Sequence, residues 1–345
     1  MDRGSIVGGI RQKMSSVDVV VPCFRYGHFL RECVESVLTQ SGPELRVLII
    51  DDASPDNTAE VAQELRCSDP RVDYRRHIWN QGLIATANEG IAWASADYML
   101  LLSADDYLLP GALSRSVDLM DNHPSVAFTF GGAVVLDQRG DHPFYRSYYG
   151  TEVDLRTRIL SGLEFITLSR AQCIVVSPTV VVRTSLQKKL GGYLADLPYA
   201  SDMEMWMRLA AHGNVGFIGA DQAVYRYHSV NMSSEPSPEL NLLQRKAAIE
   251  HFLNGGAAML ANDLRNWLTR QLALDAIVRA SIAFNEGAID TSARLAELAL
   301  SIDPSVQHSR RWWFLACKKI LGLRGWQLVR PSVELFRSIF RNERR

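Results

Sequence analysis

From Val17 to about Asn122, short β-branched and aliphatic runs alternate with stretches whose apolar positions recur every three or four residues. Val17–Val21 predicts a buried strand ended by Pro22. His28–Thr39, with Leu30, Val34, Val37 and Leu38 on one stripe, predicts a helix. Leu45–Ile50 predicts a second buried strand closed by Asp51-Asp52, and Asn57–Leu65 a helix that Asn57 and Glu60 would cap. A short strand at Val72–Arg75, a helix at Ile84–Trp93, a strand at Tyr98–Leu102 and a helix from about Pro110 complete the alternation. This order predicts an α/β fold: a mostly parallel sheet with helices on both faces.

The chain of 345 residues is too long for one such unit. The pattern divides it into a tail (1–15), an α/β domain (16–235, with halves of about 16–125 and 126–235) and an all-helical extension (236–345). In the extension, Leu240–Phe252, Ala257–Phe284 and Thr291–Ile302 have helical spacing, separated by Gly255-Gly256 and followed by Asp303-Pro304. Ala280–Pro304 faintly resembles one tetratricopeptide unit, and a single copy makes a helical hairpin rather than a solenoid.

Ligands of open α/β sheets bind outside the carboxyl ends of the strands. Pro22–Tyr26, Asp51-Asp52 and Asp105-Asp106 each follow a predicted strand, so four carboxylates converge on one rim. Such a cluster calls for a cation, and hard oxygen ligands suit Mg²⁺ or Mn²⁺ shared with substrate phosphates. Taken singly, each Asp pair reads equally well as a strand-ending turn. The chain has no G-x-x-x-x-G-K-[ST] loop, no G-x-G-x-x-G after the first strand, no H-E-x-x-H and no G-x-S-x-G.

The residues that combine these features resemble the family 2 glycosyltransferases of GT-A fold. They are Val19–Phe24, Leu48–Thr58, Asn80-Gln81-Gly82 with Ala87–Gly90, Leu101–Asp106, Leu190–Tyr193, Ser201–Leu209 and Tyr225–Ser229. The resemblance implies a nucleotide-diphosphate-sugar donor, a divalent metal and transfer to a hydroxyl with inversion. It puts Pro22, Phe24 and Asp52 against the base and ribose, with Asp52 suited to the N3–H of uracil and hence to a UDP-sugar. The last position of the family's D-x-D element, a metal ligand, aligns with Asp105. The first aligns with Ser103, a hydroxyl where the family has a carboxylate, and Asp106 would orient waters or the sugar. Asp202 aligns with the catalytic base, although Ser201-x-x-Glu204 is also a plain capping box. His228 would reach the metal or diphosphate, with Arg226 and Ser233 as weaker phosphate candidates. Two rivals stay open: a nucleotidyltransferase of similar sheet, and a non-catalytic nucleotide-sugar-binding scaffold.

Composition sharpens this in two places. Five scattered cysteines without a C-x-x-C pair argue against a disulfide framework or structural zinc. With no run long enough for a signal peptide or membrane span, they suggest a cytoplasmic protein, in which Asn231-Met232-Ser233 carries no glycan. The net charge of −1 hides a contrast, because the tail from His308 carries ten basic and two acidic residues, leaving the rest at −9. Nothing in that distribution predicts nucleic-acid binding. Trp312, Trp313, Ile320, Leu321, Trp326, Phe336 and Phe340 interleave with those charges, the pattern of a helix lying on an anionic membrane. The tail therefore suggests a peripheral site at the cytoplasmic face and a saccharide or lipid-linked acceptor, with a homo-oligomer contact as the other reading.

Overall fold

β1 (Ser16–Cys23) buries Val17, Val19, Val20 and Val21 completely. A strand covered on both faces needs a continuous apolar run, not an alternating one. The computed structural model describes residues 14–137, 144–147, 156–228, 231, 237–255 and 261–342. Ser233 and the segments 1–13 and 343–345 lie outside them.

Sheet order among the described residues is β3 (Val72–Arg76), β2 (Glu44–Asp51), β1, β4 (Tyr98–Leu101), β9 (Val181–Arg183), β6 (Val126–Asp137), β10 (Asn214–Tyr227) and β5 (Tyr107–Leu108). β7 (Phe144–Ser147) pairs with β6 and β8 (Arg158–Leu160) with β10. The expected parallel sheet is present over β3-β2-β1-β4. Beyond β4 the sheet is mixed: β9 runs antiparallel to both β4 and β6, while β6 and β10 are parallel. The strand does not end at Pro22, as the sequence pattern suggests; Pro22 stays in register with Ile50 of β2. Pairing with β4 stops at Val20, so the missing N–H of Pro22 forfeits no ladder bond on that side.

Four helices alternate with these strands: α1 (Gly27–Leu38), α2 (Thr58–Ser68), α3 (Leu83–Trp93) and α4 (Ala112–Asn122). Leu30, Cys33, Val34 and Val37 of α1 and Leu113, Val117 and Met120 of α4 join Val17, Val19 and Val21 of β1 and Val47 of β2 in one core, while Val20 packs with Leu48 and Ile50 in another. Asn57 does not cap α2 through its side chain. Asp56 does so instead, accepting from Thr58 N at 3.2 Å and, with its other oxygen, from Gly27 N at 3.1 Å, which ties the starts of α1 and α2 together.

The chain forms two compact units. The first holds the sheet and comprises residues up to Phe165, Val175–Ala195 and Arg208–Val230; the second comprises Ile166–Ile174, Asp196–Met207 and the chain from Asn231. The second unit thus takes two short pieces from within the stretch that the sequence pattern assigns to the α/β domain. Its helices are α8 (Pro238–Asn254), α9 (Ala261–Asn285), α10 (Ile289–Ile302) and α11 (Arg310–Asn342), with α9 and α10 forming the expected hairpin. α11 is broken at Gly322, whose φ of 66° lies in the left-handed region that glycine enters without steric cost. The inner side of α11 packs on α9 through Leu315, Trp326 and, unexpectedly, Lys318. The buried Lys318 ammonium donates to Ser281 Oγ (2.6 Å) and Asn285 Oδ1 (2.8 Å), and lies 4.7 Å from the Trp326 ring centroid. Among the described residues no helix is long and apolar enough to cross a membrane.

Candidate active site

Strand direction alone brings most of the candidate residues of the first unit together. β1, β2 and β4 are parallel; β9 reverses direction, β6 reverses it again, and β10 follows β6, so β10 runs with β1. The carboxyl ends of β1, β2, β4 and β10 therefore deliver Pro22–Tyr26, Asp51-Asp52, Ser103–Asp106 and His228 to one edge of the sheet.

The β1–β2 end is strained. Arg25 (φ 64°) and Ala53 (φ 59°) are both left-handed without being glycine, and Arg25 N donates to Ser54 Oγ at 3.0 Å. Strain of this kind costs about 1–3 kcal/mol per residue and concentrates at functional sites. Pro22 is buried, whereas Phe24 is exposed with the Arg25 guanidinium over its ring. Asp51 turns inward, accepting from Ser54 N (2.7 Å) and the Tyr74 hydroxyl (3.2 Å), so it supports the turn. Asp52 is gripped by the loop after β3: Oδ1 accepts from Gln81 N (2.7 Å) and Oδ2 from Gly82 N (2.8 Å). Gly82 adopts φ 86°, which explains the glycine of the Asn80-Gln81-Gly82 motif.

His77 is a member of this site that the pattern of residues does not reveal. Its Nδ1 lies 2.7 Å from Asp52 Oδ1 and its Nε2 2.8 Å from Glu89 Oε2. A neutral imidazole has one N–H, so donating to both carboxylates requires the imidazolium. Burial opposes that charge, but the bonds to Asp52 and Glu89 outweigh it and hold the His77 pKa above the ordinary histidine range. Glu89, further paired with Arg75 at 3.1 Å, is held below the ordinary glutamate range despite partial burial. Asp52, His77 and Glu89 thus form a row of alternating charge from β2 to α3.

At the β4 and β10 ends, Asp106 N donates to Ser103 O in a tight turn, with Asp105 and Asp106 both nearly inaccessible and Ser103 partly exposed. Asp106 Oδ1 accepts from Arg226 N at 2.9 Å. The Arg226 side chain is itself buried, its guanidinium 4.5 Å from the Phe29 ring centroid and 4.8 Å from that of Tyr107, donating to Asp105 O (2.6 Å) and to Glu32. This placement gives Arg226, which the resemblance offers as a weaker phosphate candidate, a structural role: it fastens the Asp105-Asp106 turn. His228 Nε2 lies 3.2 Å from Asp105 Oδ2, with its ring stacked on Phe29.

The donor set suits a divalent ion. Asp105 offers a hard carboxylate oxygen and His228 an imidazole beside it, while burial first and the adjacent Asp105 charge second push Asp106 well above the ordinary carboxylate range. Arg226 offsets part of that repulsion through its bonds to the turn, and a divalent ion at the Asp105 carboxylate would offset more. Among the described residues no group of three or more His, Cys, Asp or Glu could ligate a metal. An ion here would need substrate phosphates and water for its remaining ligands, as Mg²⁺ commonly does.

Asp202 belongs to the second unit, on α7 (Ser201–Ala210). Glu204 N bonds to Ala200 O, and the buried Glu204 carboxylate also accepts from His251 Nδ1 at 3.0 Å. Trp206 is buried. Asp202 Oδ1 accepts from Met203 N (2.7 Å) and Oδ2 from Cys173 Sγ (3.4 Å). Loss of hydration outweighs both bonds and raises the Asp202 pKa.

Comparison with known proteins agrees with the rim. Residues 18–169 match the family model "Glycosyl transferase family 2". TuaG of Bacillus subtilis (strain 168), named for teichuronic acid biosynthesis, is 24% identical over 217 residues, covering 63% of this chain and 80% of its own. The GalNAc(5)-diNAcBac-PP-undecaprenol beta-1,3-glucosyltransferase of Campylobacter jejuni is 31% identical over 123 residues, 35% of this chain and 39% of its own. The crystal structure of S. aureus TarS 1-349 superposes with a TM-score of 0.55 at 19% identity, covering 75% of this chain and 69% of that one. The same fragment in complex with UDP-GlcNAc gives 0.54 at 16% identity, covering 85% and 92%. The residues that carry Asp52 and Asp105 to the rim are thus those of a known enzyme family, and the chain carries a family 2 glycosyltransferase domain of GT-A fold.

Proposed function

We propose that the protein is a metal-dependent inverting transferase that moves a sugar from a uridine-diphosphate donor to a hydroxyl of a saccharide or lipid-linked acceptor in cell-surface glycan synthesis. The observation that carries this reading is the arrival of Asp52, Ser103, Asp105 and His228 at one carboxyl edge of the sheet. Pro22, Phe24 and Asp52 take the nucleoside, with the carboxylate of Asp52 held in place by His77, Gln81 and Gly82. Ser103 and Asp106 lie on the ribose and sugar side. Asp105 and His228 would hold Mg²⁺ or Mn²⁺, which when bound supplies Lewis-acid stabilisation of charge on the diphosphate. Asp202 accepts the proton of the acceptor hydroxyl as that oxygen bonds the anomeric carbon and the carbon–oxygen bond to the diphosphate breaks, the electron pair leaving with the nucleotide. The TarS complex with UDP-GlcNAc supports the uridine assignment as a fold relative, and the two bacterial relatives support the acceptor class by their names.

A thermal-shift panel tests the donor. UDP and UDP-sugars with Mn²⁺ should stabilise the protein, by about 2.7 kcal/mol at a hundred times Kd, while GDP- and dTDP-sugars should not. EDTA should abolish the shift and the turnover; stabilisation indifferent to EDTA would remove the metal from the reading.

The acceptor class rests also on α11. Trp313 (62% exposed), Ile320 (85%), Leu321 and Leu328 (82%) point away from the face that packs on α9, and Arg310, Arg311, Lys319 and Arg324 are exposed among them. Before the break at Gly322, Trp313, Cys317, Ile320 and Leu321 recur at helical spacing on one stripe. Exposed aromatics flanked by cations suit an anionic lipid surface. The full chain should float with vesicles containing phosphatidylglycerol and not with neutral ones, and Trp313→Ser with Ile320→Ser and Leu328→Ser should leave it at the bottom of the gradient. Equal flotation of parent and variant would refute the membrane role, and a concentration-dependent change of mass lost in the variant would assign the face to self-association.

A further inference from the structure

Resting on the assignment of Asp202 as base, we propose that the C-terminal helices set the orientation of that base. In this proposal Arg245 is a positioning residue that acts through the turn at Arg170-Ala171 and through Cys173. All of these groups lie within the second unit.

The starting observation is a backbone outlier. α5 (Gly162–Ser169) ends in two successive non-glycine residues in the left-handed region, Arg170 (φ 48°) and Ala171 (φ 60°). A helix can be closed by a single left-handed residue, usually glycine, so two in a row with side chains persist only where surrounding structure over-determines them. That structure is Arg245 of α8. Its side chain is 6% exposed, and both Nε, at 2.9 Å, and Nη2 donate to the one carbonyl oxygen of Ala171.

The guanidinium is in turn fixed by Asp275 of α9, whose Oδ2 accepts from Arg245 Nη1 (2.7 Å) and Arg279 Nε (2.9 Å). The other oxygen, Oδ1, accepts from Gln172 Nε2 at 3.1 Å, so one carboxylate holds the turn from two directions. Withdrawing an ion pair from water is costly and rarely stabilises a fold by itself. Here the pair is directed at one peptide, and two residues later the chain delivers Cys173 Sγ to Asp202 Oδ2.

The chemistry of that contact suits a base. With Met203 N on Oδ1 and Cys173 on Oδ2, the plane of the carboxylate is fixed. A thiol is a weak donor, so it orients the carboxylate while leaving it basic, and burial keeps its pKa high. Charged groups nearby among the described residues include Glu204 with His251 on the α7–α8 side, and Arg245, Asp275 and Arg279 behind the turn. An Asp held this way keeps its remaining lone pairs in a fixed direction.

The test uses the full chain, comparing Arg245→Met and Cys173→Ala with the parent and with Asp202→Asn in steady-state kinetics from pH 5 to 9. Arg245→Met should lower kcat by roughly 10- to 100-fold, the scale of losses from misplaced reacting groups, with donor KM unchanged. Cys173→Ala, which removes a donor from the ionised carboxylate, should move the acidic limb of the kcat profile to higher pH and lower kcat less. If Arg245→Met does not fold, Cys173→Ala decides by its limb alone. A Cys173→Ala profile superimposable on the parent, or a folded Arg245→Met with parental kcat, overturns the positioning role. If Asp202→Asn itself retains parental turnover, the base assignment fails and this proposal with it. An inactive Asp202→Asn beside unaffected Arg245→Met and Cys173→Ala fails the positioning role alone.

Discussion

Asp202→Asn is expected to fold as the parent does and to lose about 10²- to 10⁴-fold in kcat, the range that general-base catalysis contributes. The substitution keeps the shape and an amide oxygen that can still accept from Met203 N, so the start of α7 is preserved. Stability should rise slightly at neutral pH, because burial raises the carboxylate above its unfolded value. An acid whose folded pKa is raised contributes stability that is fully present below its unfolded pKa and is lost as pH climbs from there through the folded value. An ionised Asp202 at pH 7 therefore opposes folding, and a neutral amide removes the opposition. Donor KM should stay within a factor of two or so if the residue acts only after the donor is bound. Stopped-time assays of nucleotide release with and without acceptor, together with thermal denaturation, check all three. Turnover near the parental value would eliminate the base role.

Asp105→Ala carries the second large effect, a fall of roughly 10²- to 10³-fold in kcat, the size seen when one preorganised electrostatic partner of a developing charge is removed. The variant should remain folded for a specific reason. Arg226 holds the main-chain carbonyl of Asp105 and the side chain of Asp106, not the carboxylate that is lost. Removing one of two adjacent buried carboxylates also relieves a repulsion, so the apo protein should melt at the same or a higher temperature than the parent. Loss of activity beside unchanged or increased stability is the trade expected where a site holds like charges together for function. Isothermal titration with Mn²⁺ and UDP should show that the metal-dependent part of nucleotide binding is gone. Full metal-dependent binding in Asp105→Ala would move the ligand role elsewhere.

Much of the rim was legible in the residues because strand ends are local events. An apolar run that stops at Asp51-Asp52, or at Ser103–Asp106, announces both the strand and the polar edge beyond it. The site residues that escaped notice are those whose meaning comes from distant partners. His77 meets Asp52 across 25 positions and Glu89 across 12, and no period in the sequence links the three. Arg226 sits beside His228 in a segment of family-like appearance, yet its side chain goes inward between Phe29 and Tyr107, a destination set by residues 197 and 119 positions away. The capping-box pattern at Ser201 likewise gives no sign that Glu204 also meets His251 of a later helix, 47 positions away.

The alternation of apolar runs and amphipathic stretches by itself determined the α/β class, the order of the first strands and helices, the acidic carboxyl edge and the helical extension with its basic aromatic tail. Those properties depend on side-chain period and on residues within a few positions of one another. Tertiary structure alone decided that the sheet turns mixed beyond β4, that β10 brings His228 to the edge shared with Asp105, and that Arg226 supports the turn from below. It also decided that Asp202 is held by Cys173 while Arg245 of α8 grips the strained turn before that cysteine. The reason is physical: strand direction and the partners of a buried charge are settled by pairing and desolvation between segments far apart in the chain, and neither leaves a period for a sequence to display.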